Sequence, residues 1–317
     1  MLDENGIEAP DPAPRAKMKT YRIYQVDAFT STRFAGNPAG VVPNADGLTE
    51  AQMQAFAREL NNSETAFVFS PDASDHDVRI RFFTPTTEVP SCGHATIAAH
   101  CVRAIEQRLP TCMVTHKIGI GILPVEIRKQ GDGYRIVMTQ GAIEFSPPLA
   151  AETRKTLLIA LGLSESDVDS RCPVQIVSTG HSKVLVGINS RKALDAMRPD
   201  LARLTALSST LGCNGYFVFV LSPASADALA HGRMFAPAIG IPEDPVTGNA
   251  NGPLGAYLVR HRLAKADGDV LRFSALQGEA MGRPGTVDVE VEMAAGEPVR
   301  VKVGGRAVVV FQTELKI

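Results

Sequence analysis

Several short motifs occur twice along the 317-residue chain, in the same order and at a nearly constant spacing. They are an apolar strand-like segment, an arginine-containing strand end and a glycine turn before a helix. The matched positions, with their offsets in residues, are Phe67 and Phe217 (150), Arg81 and Arg233 (152), and Cys92 and Thr247 (155). The same order of motifs in both halves, with a slowly growing offset, indicates an ancient duplication. The alternative is two unrelated domains that share common strand–helix patterns.

The length of the chain also favours two domains, because single cores stop growing near ~250 residues. The last segment, 306–317, is predicted to be a strand that pairs with the sheet of the first half. We therefore expect an N-terminal lobe made of 19–141 and 305–317 and a C-terminal lobe made of 142–304. Residues 1–18 contain three prolines among acidic and small residues, a pattern typical of a loose tail.

Composition excludes several classes of partner and chemistry. The net charge of −2 has no long run of either sign, so neither nucleic acid nor a membrane surface is expected as a partner. Five cysteines without CxxC pairs favour a reducing, cytoplasmic compartment and no structural zinc. The sequence lacks the GxSxG, HExxH, P-loop and GxGxxG motifs, so a hydrolase, a metalloenzyme or a nucleotide-dependent enzyme is disfavoured and no metal ligands are predicted.

The two glycine turns predict a binding site for an anion. Each turn places a small polar residue, a glycine and then His94 or Asn249 at the start of an apolar helix. The first N–H groups of a helix have no intrahelical partner and lie at its positive end. Two such ends facing one cleft would suit a substrate carboxylate, and Gly93 and Gly248 would let the backbone approach it. Alternatively, both turns are simple helix starts.

Cys92 lies directly before the first of these helices, where the helix dipole is expected to lower the pKa of a thiol and favour thiolate. The residue is therefore a candidate base, or alternatively a packed cysteine. Its counterpart in the second half is Thr247, which cannot act as a base near neutral pH.

Glu64 lies between Asn61-Asn62-Ser63 and a strongly apolar strand. A carboxylate at the mouth of a buried strand is partly desolvated, which suits acid/base catalysis. Its counterpart at the offset of 150 is Asn214, so the shared fold does not require the acid. A solvated loop glutamate is the alternative interpretation.

Asp244 precedes the second glycine turn, and His94 follows the first. If the two turns share a cleft, these side chains form a second acid/base pair, with histidine suited to proton transfer near pH 7. Otherwise Asp244 is an ordinary turn residue.

Four motifs follow one another along the chain, namely Asp-Ala-Phe at 27–29 with Gly-Asn-Pro at 36–38, Ser-Glu-Thr at 63–65, Cys-Gly-His-Ala at 92–95 and Glu-Asp-Pro-Val-Thr-Gly at 243–248. In this order they resemble the phenazine-biosynthesis isomerase-like (PhzF-like) family, and the resemblance covers nearly the whole chain from Tyr21 onward. Two residues depart from the family's pattern: the thiol of Cys92, and Asn249 where many members have serine. Both departures lie at the predicted ligand-binding site.

The resemblance implies an α+β fold of the diaminopimelate epimerase type, with two pseudo-symmetric lobes, each a β-sheet or barrel wrapped around a central helix. It also implies that the enzyme uses no cofactor and forms a homodimer. It gives the acid/base role to Glu64 and places His94 and Asp244 in the same pocket. The candidate catalytic residues are Glu64, Cys92, His94 and Asp244. The candidate substrate-binding residues are Asn37, Gly93, Thr247, Gly248 and Asn249.

Three functions follow from these residues. The leading hypothesis is a cofactor-independent isomerase of a small carboxylate-bearing metabolite, in which Glu64 shifts a proton. The second is an amino-acid epimerase or racemase, or a hydroxyproline-type dehydratase, that uses Cys92. The third is a non-catalytic small-molecule binding protein.

Overall fold

The computed structural model describes residues 18–223 and 227–317, so the predicted tail lies outside these ranges except for Met18. The helices are α1 (Glu50–Leu60), α2 (Gly93–Gln107), α3 (Ala151–Leu161), α4 (Arg191–Ala196), α5 (Leu201–Leu211) and α6 (Gly248–Arg260). The strands are β1 (Thr20–Ala28), β2 (Asn37–Val42), β3 (Glu64–Phe69), β4 (Val78–Phe83), β5 (Glu88–Val89), β6 (Cys112–Ile118), β7 (Gly121–Gln130), β8 (Gly133–Thr139), β9 (Glu144–Pro148), β10 (Gln175–Ser178), β11 (Lys183–Gly187), β12 (Tyr216–Leu221), β13 (Ala230–Ala236), β14 (Ile241–Asp244), β15 (Val270–Gln277), β16 (Gly285–Ala294) and β17 (Glu297–Lys316).

Local sequence signals explain where the outer helices begin and end. Thr49 and Gln52 form a capping box at the start of α1. The side chain of Asp200 caps α5, and Gly212 ends that helix in the left-handed conformation, which glycine adopts without steric cost. Among the described residues, none of the helices has the length and apolar character needed to cross a bilayer.

The first lobe is a closed barrel of eight strands around α2. The order of the strands is β1-β2-β3-β4-β6-β7-β8-β17, and β17 closes the ring on β1. Most residues of α2 are buried on every side of the helix. A helix that is apolar all round is stable only when it is enclosed, and the barrel provides that enclosure.

The second lobe repeats this arrangement around α6, which is also buried on every side. Its strands are β9-β10-β11-β12-β13-β15-β16-β17, with no pairing between β9 and β17 in the part of the chain described. The long strand β17 belongs to both lobes, because it pairs with β16 at its start and with β1 at its end. The predicted terminal strand at 306–317 does pair with the sheet of the first half. The α+β fold of two pseudo-symmetric lobes is confirmed.

The register of the duplication differs by one residue from the prediction. Phe67 faces outward and packs in the same cluster as Met53 of α1. Phe217 faces inward and packs in the same cluster as Leu254 of α6. Because successive strand residues point to opposite faces, these two phenylalanines cannot be equivalent. The inward-facing equivalent of Phe217 is Ala66, so the offset here is 151 residues (217 − 66).

The other two offsets agree with the structure. Phe82 and Met234, 152 residues apart, both face inward and pair with Ala66 and Phe217 on the neighbouring strands. The corrected offset changes the counterpart of Glu64, which is Gly215 (215 − 64 = 151) and not Asn214. The prediction failed because it matched one phenylalanine to another, whereas burial depends on the face of the strand.

Two buried imidazoles in the first lobe make its stability depend on pH. His100 of α2 and His116 of β6 are almost fully buried, with Nε2 of His100 3.4 Å from Nδ1 of His116. Burial lowers the pKa of His116 to about 4. Burial, followed by the positive charges of His116 and Arg103, lowers the pKa of His100 well below its ordinary value. Both rings are therefore neutral in the folded protein at neutral pH.

We expect the free energy of unfolding to fall as the pH is lowered from 6.5 towards 4.5. In this window the unfolded chain protonates both imidazoles and the folded chain does not, so unfolding becomes more favourable by about 1.4 kcal/mol per pH unit for each ring. Urea unfolding at pH 7, 6 and 5 measures this slope. His116→Asn should make the slope shallower, and an unchanged slope in that variant would contradict the assignment.

Candidate active site

The two central helices begin beside each other in the cleft between the lobes. Cys92 and Thr247 are the N-cap residues of α2 and α6, both have extended backbone, and neither side chain caps its helix. A Cβ atom built on Gly93 would lie 3.9 Å from Oδ1 of Asn249. The structure thus brings the two glycine turns together, with the first N–H groups of both helices at one place.

Glu64, Cys92 and His94 converge at the first helix start. Oε2 of Glu64 lies 3.4 Å from Nε2 of His94, and the side chain of Glu64 is only 13% exposed. Oγ of Ser63 lies 3.2 Å from the same nitrogen, and Sγ of Cys92 lies 3.4 Å from Nδ1 of His94. The imidazole ring is therefore positioned from both sides. Oε2 of Glu64 is buried and accepts no hydrogen bond from the described residues.

The expectation of a reactive thiolate at Cys92 is corrected by its burial. The residue is 8% exposed. Burial raises the pKa of its thiol well above the usual value, and the negative charge of Glu64 raises it further. The backbone N–H of Ala95 at the helix start opposes this shift but does not outweigh it. Desolvation exceeds the effect of the helix dipole here, so Cys92 is a neutral thiol.

Asp244 lies beside the second helix start, three residues before Thr247. Nδ2 of Asn37 donates to Oδ1 of Asp244 over 2.8 Å, and the hydroxyl of Thr247 donates to its other oxygen. Burial raises the pKa of Asp244, while the nearby His94 and the hydrogen bond from Thr247 limit the shift. A buried carboxyl group of this kind can carry a proton at a pH where an exposed aspartate cannot. Asp244 and His94 do lie within electrostatic reach of each other.

Equivalent loops connect each lobe to the helix start of the other lobe. Asn37, directly at the start of β2, donates from Nδ2 to the carbonyl oxygen of Val246 over 2.8 Å. His181, just before β11, lies with Nε2 3.2 Å from Oγ of Ser91. Val246 and Ser91 are themselves equivalent, one residue before Thr247 and Cys92. These two contacts hold the lobes together across the cleft.

Two glutamines complete the second helix start, and sequence analysis missed both because they stand outside the recognised motifs. Gln140 donates to the carbonyl oxygen of Gly248 and to Oδ1 of Asn249, at 3.2 and 3.1 Å. Gln277 accepts from the backbone N–H of Thr247 over 3.1 Å. A Cβ atom on Gly252 would lie 1.7 Å from Oε1 of Gln140, which explains the glycine inside α6.

Glu64, Cys92 and His94 also form the donor set best suited to a metal ion among the described residues. Their ligand atoms all lie within 4.8 Å of one another. Carboxylate, thiolate and imidazole are ligands that zinc accepts. The sequence did not indicate this set, because the three residues come from two separate elements and lack a metal-ligand spacing.

Comparison with known proteins identifies the family. The family of phenazine biosynthesis-like proteins, PhzC-PhzF, matches residues 26–313. An uncharacterized isomerase from Clostridium acetobutylicum is 57% identical over 298 residues, covering 94% of this chain and 99% of the relative. The trans-2,3-dihydro-3-hydroxyanthranilate isomerase of Pseudomonas fluorescens is 34% identical over 283 residues, covering 89% of this chain and 95% of the relative.

The fold agrees with these sequence matches. The crystal structure of a PhzF-family phenazine biosynthesis protein from Bacillus anthracis superimposes with a TM-score of 0.83 at 32% identity, covering 95% of this chain and all of that one. The chain therefore belongs to the phenazine biosynthesis-like (PhzC-PhzF) family, and it is an isomerase of that family.

Proposed function

We propose that the protein isomerises a small unsaturated carboxylate by moving a proton, without a cofactor, and that Glu64 is the acid/base group. The observation that supports this role of Glu64 is that one oxygen of its carboxylate, Oε2, is buried in the cleft and accepts no hydrogen bond from the described residues. A buried carboxylate oxygen without a hydrogen bond is costly unless function requires it. A substrate proton is the partner that this oxygen lacks.

The starts of α2 and α6 bind the carboxylate of the substrate in this proposal. Neither helix has a side-chain cap. The first backbone N–H groups, those of Gly93, His94, Gly248 and Asn249, are therefore the donors that bind this carboxylate in the proposal. Both helix dipoles favour negative charge at this position. The same groups stabilise the charge that develops when a proton leaves a carbon conjugated with the carboxylate.

The proton transfer follows from the geometry of the side chains. Glu64 takes a proton from carbon, the double bonds of the substrate shift, and a proton is returned at another carbon, so the product is an isomer. His94, held between Ser63 and Cys92, lies 3.4 Å from Glu64 and orients its carboxylate. Asp244, whose pKa is raised by burial, supplies or accepts the proton on the side of the second lobe.

The class of substrate is an unsaturated ring carboxylate. The relative from Pseudomonas fluorescens is named for trans-2,3-dihydro-3-hydroxyanthranilate, and this compound is the first to assay. Cys92 and Asn249, which depart from the family's pattern, both lie at the cleft and make a modified ring or side chain the next choice.

Glu64→Gln should abolish turnover while ligand binding survives. The amide keeps the shape of the side chain but cannot take up a proton, so we expect kcat to fall by at least about 100-fold. Proton loss from the substrate can be followed by NMR in heavy water. Glu59→Gln, an exposed glutamate on α1, is the matched control and should keep full activity. Full activity of Glu64→Gln would refute the proposal.

Cys92→Ala should keep turnover within about tenfold of the native rate, because a neutral buried thiol contributes packing more than proton transfer. The same variant should be tested against a panel of amino acids in heavy water. Exchange of the Cα proton that depends on Cys92 would instead assign an epimerase or dehydratase. Tight ligand binding without turnover of any compound would assign a binding protein.

Removal of metal ions should leave activity unchanged, because Glu64 and the helix starts supply the chemistry of the proposal. Dialysis against EDTA followed by assay in metal-free buffer tests this expectation. A loss of activity that zinc restores would assign a metal to Glu64, Cys92 and His94 and would contradict the cofactor-independent mechanism.

A further inference from the structure

Lys183 is a buried lysine at the mouth of the second barrel. It begins β11 and is only 4% exposed. Lys183 lies directly opposite Val177 of β10, and Leu185 lies two residues further along the same strand. Val177 and Leu185 both belong to the core that surrounds α6. Because paired residues and alternate residues share a face, the side chain of Lys183 also points into the barrel.

The ammonium group of Lys183 has little compensation for this burial. Its one hydrogen bond within the described residues is to the carbonyl oxygen of Ser182, at the long distance of 3.4 Å. Nζ forms no direct bond with a carboxylate of the described residues. An ammonium group has three donors, and leaving them unpaired in the interior is unfavourable. The ammonium group therefore lacks an anionic partner among the described residues.

The duplication places Lys183 and Glu64 at the same level of their barrels. Glu64 is paired with Ala39 on the parallel strand β2. At the corresponding place in the second lobe, Lys183 lies beside Gly215, since the next residue, Val184, donates to the carbonyl oxygen of Gly215 over 2.9 Å. In the first lobe the acid Glu64 therefore lies beside a small residue, Ala39. In the second lobe Lys183 lies beside a small residue, Gly215. Glu64 lies at the start of α2, so its equivalent Gly215, beside Lys183, is expected near the start of α6.

The charges around Lys183 connect it with the cleft. Burial lowers the pKa of Lys183 to about 8, while the nearby Cys213 and Asp244 act in the opposite direction. Burial lowers the pKa of the neighbouring His181, and the charge of Lys183 lowers it further. Asp244 belongs to the cleft, and His181, two residues before Lys183, contacts Ser91. Lys183 therefore lies close to the site on the side of the second lobe.

We propose that Lys183 is a substrate-binding cation, whose ammonium group pairs with the carboxylate of the substrate while Glu64 acts on the opposite side of the ring. This role rests on the proposed function, because the class of substrate is taken from it. It gives the cleft a charged group in addition to the backbone N–H groups, and it fixes which end of the substrate faces the second lobe.

The test is the affinity for anthranilate, an aromatic carboxylate probe, measured by calorimetry at pH 7, 8 and 9. The probe stays ionised across this range, whereas Lys183 loses its proton. Binding to the native protein should therefore weaken by up to about tenfold per pH unit above 8. The neutral analogue anthranilamide should bind weakly at every pH.

Three variants make the result specific. Lys183→Met should bind anthranilate about 10- to 100-fold more weakly at pH 7 and show no further loss at pH 9. Lys183→Arg keeps the charge, so its binding should persist at pH 9 where that of the native protein declines. Lys265→Met, at an exposed lysine beyond α6, is the matched control and should behave as the native protein.

Native affinity and native pH dependence in Lys183→Met would overturn the proposal, as would failure of the native protein to bind millimolar anthranilate. Circular dichroism and thermal unfolding establish that each variant is folded. Glu64→Gln should bind anthranilate normally with the native pH dependence, so a failure of the catalytic assignment to Glu64 remains distinguishable from a failure of the role of Lys183.

Discussion

The unpaired backbone N–H groups at the starts of α2 and α6 are the constraint on which the site depends. They meet because each helix is enclosed by a barrel and the barrels share β17. Side chains cap neither helix, and the cross-lobe contacts of Asn37 and His181 keep the two starts together. A fold that buries two positive helix ends in one cleft favours an anionic ligand there.

The chemistry comes from departures from the symmetry that the duplication created. The two halves provide the same backbone frame, and different side chains occupy matching positions on it. Glu64 corresponds to Gly215, Cys92 corresponds to Thr247, and Lys183 stands where the first half has Ala39. A symmetric cleft would bind an anion without direction, whereas in the proposed mechanism an acid in one lobe and a cation in the other give the substrate one orientation.

Much of the order of helices and strands could be predicted from the sequence, because it depends on local signals. The order of apolar strand, strand end and glycine turn identified the repeated elements. Burial was harder to predict, since it depends on what packs around a residue. Matching phenylalanine to phenylalanine shifted the register by one residue, and the helix dipole suggested a reactive Cys92 where desolvation instead raises the pKa of its thiol.

The sequence by itself determined the duplicated frame, the glycine turns and the residues Glu64, His94 and Asp244, because each belongs to a short motif with a local physical meaning. Tertiary structure alone decided that Gln140 and Gln277 contact the second helix start and that Lys183 is buried in the second lobe. These residues carry no local pattern. Their position follows from strand pairing between distant segments, which fixes the face of each strand and therefore what each side chain touches.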